Sequence, residues 1–201
     1  MSAYQDFLEF FSMHNKERLD GLDESYFTAM NEQERNLAYT YLLKLVENGG
    51  TEESMNGLFR ADFDRDAEAA SRLLVEDKLN PEAQIAAAWN LSKVQDNEVL
   101  FQVFARYMSD PDRKLRAKAA YYVPENMDRD NLKSCLRGMI RTETEQLPRI
   151  HAVNKILALY GVSKSSIGEK IYREIYRGLH SDELRDKEQA FGKLEALSKT
   201  L

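Results

Sequence analysis

A helix start that occurs twice constrains this chain more than any other feature. Asn80-Pro81-Glu82-Ala83-Gln84-Ile85-Ala86-Ala87-Ala88-Trp89-Asn90-Leu91 lies over Asp110-Pro111-Asp112-Arg113-Lys114-Leu115-Arg116-Ala117-Lys118-Ala119-Ala120-Tyr121. Cap, proline, apolar anchor and alanine cluster coincide. Proline directly after Asn or Asp predicts a helix N-terminus, because the amide hydrogen it lacks would be unsatisfied there anyway. Looser copies begin near Asn31 (with Leu37, Ala38 and Tyr41), near Gln146 (with Ile150, Ala152 and Val153) and near Asp182 (with Ala190, Leu194 and Leu197). The anchors Ile85, Leu115 and Ile150 stand 30 and 35 residues apart, a spacing typical of helix-pair repeats.

Between these starts, apolar residues recur at helical spacing, as in Leu37, Tyr41, Leu42, Leu45 and Val46. The stops are Asn48-Gly49-Gly50, Asn80-Pro81, Asp110-Pro111, Pro124-Glu125-Asn126, Pro148 and Gly161-Val162-Ser163. Only 4 Pro and 9 Gly interrupt 201 residues, and strand-favouring runs are nearly absent. Helices are expected over 3–14, 21–30, 32–47, 51–61, 65–78, 81–95, 97–109, 111–123, 129–143, 147–160, 164–179 and 182–199. None can stand alone, so each must bury its apolar stripe on neighbours, and Ala86–Ala88, Ala117, Ala119 and Ala120 permit close approach. The expectation is an all-α, right-handed α-solenoid of about five antiparallel helix pairs. One domain would comprise acidic helices at 1–62, repeats at 65–160 and a closing pair at 164–201.

Segment 65–160 resembles the HEAT-repeat family through Asp110, Pro111, Leu115, Arg116, Ala119 and Ala120. The Asn80 copy departs from the pattern, with Ala86 where Arg is common. The resemblance implies a curved α-solenoid, a fold widely used to bind proteins, and by itself names no function.

Motifs that carry chemistry are scarce. Asp62-Phe63-Asp64-Arg65-Asp66 opens like an EF-hand loop, but Ala67 replaces the sixth-position glycine and Leu73 the twelfth-position glutamate. An acidic helix N-terminus explains it better. His14, His151 and His180 are far apart, and none is followed by Glu, which argues against a helical metal motif and against the HEAT-like di-iron hydroxylases. Ser163-Lys164-Ser165-Ser166 is a polar helix start, and the single Cys135 reads as a buried helix residue. One catalytic alternative is a resemblance to the HEAT-like alkylpurine DNA glycosylases, with Trp89, Asp112, Arg113 and Arg116 in the aromatic, Asp and Arg roles. A pI near 5.3 opposes it, because duplex binding calls for a strongly basic groove.

No apolar run approaches the roughly 20 residues of a membrane span, and Asp6 and Glu9 occupy a start where a signal peptide carries positive charge. The expectation is a cytoplasmic, cofactor-free, non-enzymatic protein whose partner is another protein. Net charge is −6, yet residues 1–70 hold 6 Lys+Arg against 15 Asp+Glu. That acidity repels nucleic acid and suits a basic partner. Candidate contacts on and around the second helices are Glu34, Tyr39, Asp62, Asp64, Glu82, Asn90, Arg113, Arg116, Tyr122, Arg149 and Asn154. Tyr and Arg are favoured at binding hot spots. Tyr122 stands between a core and a surface role, whereas Tyr121 and Trp89 read as core. The most specific expectation is an immunity-type inhibitor of a basic bacterial toxin, and the broader one is a scaffold or adaptor.

Overall fold

A computed structural model describes residues 2–13, 21–22, 24–95, 98–127 and 129–198. Among them there are thirteen helices and no strand. The helices gather into two compact units, residues 1–95 and 96–201, so the repeat segment 65–160 is shared between the two.

The first unit contains α1 (Ala3–Ser12), α2 (Ser25–Thr28), α3 (Glu32–Glu47), α4 (Glu52–Ala61), α5 (Phe63–Val75) and α6 (Pro81–Leu91). Reciprocal capping boxes start α1 at Ser2 with Gln5, α3 at Asn31 with Glu34 and α4 at Thr51 with Ser54. An aromatic cluster of Phe7, Phe10, Phe11, Tyr26, Phe27 and Tyr41 joins α1 and α2 to α3. Gly57 on α4 lets Leu22 and Leu42 close in, since a Cβ there would stand 2.6 Å from Leu22 Cδ2. Asn80 precedes Pro81 at the start of α6, but its side chain makes no cap bond. Its amide group donates to Gly50 O at 2.9 Å, and its backbone N–H donates to Gly49 O at 2.8 Å. Gly49 and Gly50 take φ of +103° and +66°, so the turn after α3 is docked on the turn before α6.

The second unit contains α7 (Glu98–Met108), α8 (Arg113–Tyr122), α9 (Arg129–Thr142), α10 (Gln146–Leu159), α11 (Lys164–Ile167), α12 (Glu169–His180) and α13 (Leu184–Leu197). Pro111 lies in the turn rather than in the helix. Asp112 is the N-cap of α8, accepting from the Lys114 N–H at 2.8 Å, while Asp110 accepts from the Asp112 N–H. The helix expected over 164–179 is divided at Gly168, whose φ of +80° ends α11 and begins α12. α8 packs on α7 and α10, and α7 on α9. The last pair lies crosswise, with α12 on α10 and α13 on α9.

Two arginines tie these turns together. Arg116 donates to Asp110 O and Pro111 O at 2.9 Å, and grips the Glu143 carboxylate through Nε at 2.6 Å and Nη2 at 2.9 Å. Arg149 repeats the arrangement, donating to Glu143 O at 2.7 and 3.1 Å and reaching His180 O and Asp182 Oδ1 at 2.9 Å. Each guanidinium satisfies carbonyls left unpaired where the previous helix ends and binds the next inter-helix turn. Gln84 makes the first of these connections only, donating to Leu79 O and Asp77 Oδ1 in the turn before α6. Aligned on these donors, the repeat runs Gln84, Arg116, Arg149, with offsets of 32 and 33. The proline alignment is thus displaced by the turn position of Pro111. Ile150 is half-buried rather than a core anchor, and Leu37 is 52% exposed.

Candidate functional site

Several residues expected to meet a partner are committed to the fold. Tyr39 is buried, with the Arg65 guanidinium 4.1 Å above its ring. Asn90 is buried, donating to Asn56 Oδ1 and Ala86 O and accepting from Lys93 Nζ. Arg116 and Arg149 are the turn-binding arginines. Glu34 closes the α3 capping box, and Asp62 caps α5 by accepting from the Arg65 N–H at 3.3 Å. Glu82 is half-buried in the first turn of α6. His14 and the side chain of Asp64 lie outside the described residues. Trp89 is half-buried, with Lys93 Nζ 3.7 Å from its ring.

Arg113, Tyr122 and Asn154 remain, and all three stand on α8 and α10, which pack together. Helical spacing places Lys114, Lys118 and Tyr121 along one face of α8, and Leu147, His151 and Asn154 along one face of α10. At the start of these helices a groove of about 650 Å³ is lined by Arg113, Lys114, Glu145, Leu147, Pro148 and Ile150. Arg113 and Glu145 form an ion pair of 2.9 Å across it. Further along, the Tyr121 ring meets His151 at 5.1 Å and Tyr122 at 5.0 Å. Burial and neighbouring Lys155 push the His151 pKa below its ordinary value, so its imidazole is neutral at pH 7 and offers one donor and one acceptor. Burial likewise lowers Lys155, opposed by Glu125 at 3.9 Å.

No family model, curated protein or solved structure matches this sequence.

Two side chains of the α8–α10 face escape sequence reasoning. Tyr121 is 59% exposed and Leu147 57% exposed, although the repeat alignment counts Tyr121 as core. The signal was the helical phase: Leu115, Ala119 and Ala120 are buried, and the next residue turns about 100° away from that stripe. An exposed tyrosine and an exposed leucine on two packed helices, with a groove whose Arg113 is paired to Glu145, have the composition of a protein-contact surface.

The other polar groups give less to chemistry. The Cys135 thiol is half-buried and pushed up by burial, which keeps it protonated and a poor nucleophile. Among the described residues, no group of three His, Cys, Asp or Glu is placed to hold a metal ion. No described helix is long and apolar enough to cross a membrane. Charge divides between the units, with 9 Lys+Arg against 18 Asp+Glu in residues 1–95 and 19 against 16 in residues 96–201. Asp6, Glu9, Glu32, Glu47, Glu68 and Glu76 are among the exposed acids of the first unit.

Proposed function

We propose that this chain is a non-catalytic, cytoplasmic α-solenoid of HEAT-like helix pairs that works by binding another protein. The observation that carries the reading is the exposed α8–α10 face, where Tyr121, Leu147, Asn154 and the Arg113 groove stand clear of the core. Turn-to-turn bonding through Arg116 supports it from beneath, because it ties α8 to the turn that starts α10. The more specific reading is an immunity-type inhibitor: the acidic first unit complements a basic toxin such as a nuclease, steering the encounter and weakening it in salt. A scaffold or adaptor role shares the same face.

The competing glycosylase reading needs Asp112 and Arg116 free for substrate. In this structure one caps α8 and the other is held by Glu143 and two carbonyls. Affinity capture from the source cell tests the proposal, with Tyr121→Ala combined with Leu147→Asp as the control. Recovery of one discrete protein that the double variant fails to hold supports docking at this face. Release of damaged bases from alkylated DNA, abolished by Asp112→Asn, would overturn it.

A further inference from the structure

Asp66, in the first turns of α5, is fully buried, and neither carboxylate oxygen has a hydrogen bond of normal geometry among the described residues; the backbone N–H of Asp62 favours the ionised form, but less than burial opposes it. Burying an ionised carboxylate without a partner is so costly that the group keeps its proton instead. The nearest cation does not compensate for it. Arg65 is drawn elsewhere, stacked 4.1 Å over Tyr39, within 3.5 Å of Asn36 Oδ1 and 3.7 Å from Asp62. Asp62 adds a second negative charge one turn before.

The surroundings concentrate any strain at one place. α4 and α5 are joined by the single residue Asp62, which is at once the C-cap of α4 and the N-cap of α5. α5 packs on α4 and α6. The ionisable groups acting on Asp66 are Asp62 and Arg65 of its own helix, and Tyr39 of α3 feels Asp66 in turn. α4 brings Glu52, Glu53 and Arg60 and α6 brings Glu82, a set with more negative than positive charge.

We infer that the first turns of α5 form a proton-held latch: neutral Asp66 stays sealed in the first unit, and its ionisation swings the start of α5 outward about Asp62. Burial first, and Asp62 second, push the Asp66 carboxyl up to about 8. In the unfolded chain the group ionises at its ordinary value near 3.8, so the sealed form is favoured in acid, loses stability progressively as pH rises from about 3.8 to about 8, and levels off above that. This inference is independent of the docking reading.

Two measurements on the whole chain test the latch. The carboxyl ¹³C shift of Asp66 should titrate several pH units above the other aspartates. Amide hydrogen-exchange protection of α5, corrected for intrinsic rate and referred to α10, should fall about tenfold or more between pH 6.5 and pH 9 and stay level in Asp66→Asn. A carboxyl that titrates near 4, protection that does not change in the natural sequence, or an equal fall in Asp66→Asn would overturn it. The ¹³C titration stands on the unsubstituted protein, so the inference remains falsifiable even if Asp66→Asn does not fold.

Discussion

Replacing Arg116 by Met, which keeps the length of the stem, tests whether the turn-binding arginines hold the second unit together. The Glu143 side chain is 2% exposed and that of Arg116 18% exposed. Glu143 receives four N–H groups: Nε and Nη2 of Arg116, and the backbone N–H of Thr144 and Glu145 at 3.0 and 2.9 Å. The substitution removes both charge-assisted bonds and leaves a buried carboxylate on two amides, with Asp110 O and Pro111 O also deprived of a donor. Breaking one side of a buried pair costs about 3–5 kcal/mol, and that loss is expected at pH 7. Burial alone would raise the Glu143 carboxyl, but the Arg116 hydrogen bonds and those backbone amides outweigh it and hold the group below its ordinary value. A depressed carboxyl contributes stability above its unfolded pKa and loses it as pH falls through the folded one. The gap between natural protein and Arg116→Met should therefore be widest near neutrality and shrink toward pH 4, where the abandoned carboxylate takes up a proton. Urea unfolding followed by circular dichroism at both pH values reads this directly. Adding Glu143→Gln to Arg116→Met should recover part of the loss. A cost below about 1 kcal/mol at pH 7, or a cost that grows in acid, would show that the pair behaves as a surface ion pair and that the turns are held by something else.

Gly178→Ala would place a Cβ 2.9 Å from the Ala190 Cβ and 3.2 Å from Asp186 O, forcing α12 from α13. Overpacking of about 1–3 kcal/mol should exceed the gain in helix propensity and lower the thermal midpoint, and a raised midpoint would refute the close approach. Leu115→Ala should cost about 2–5 kcal/mol, since Leu115 is 9% exposed. Leu147→Ala, on the exposed face, should stay within about 0.5 kcal/mol in the same denaturation assay.

The local elements were legible because they rest on local chemistry. Ser2, Asn31 and Thr51 start helices by bonding amides three residues on, and Gly49, Gly50 and Gly161 supply positive φ at helix ends. Such signals act within one turn of chain, so periodicity and capping residues recover them. The misreadings arose where a residue's role depends on a distant neighbour. Arg149 and Asn90 look like presented polar groups until the turn at His180 and the side chain of Asn56 arrive to bury them. Asp66 looks like one more acid in an acidic run. Only tertiary packing seals it from water.

The sequence by itself determined that the chain is helical, where most of its helices begin and end, and that its negative charge collects in the first unit, since these follow from propensity, caps and composition. Tertiary structure decided which polar and aromatic side chains beside each apolar stripe its neighbours cover. That choice left Tyr121 outside the core, turned Arg116 and Arg149 inward onto unpaired carbonyls, and crossed the last helix pair. The physical reason is that a helix presents every side chain at fixed angular steps, while the contacts that hide or expose them come from residues about 30 or more positions away, whose arrival no local pattern encodes.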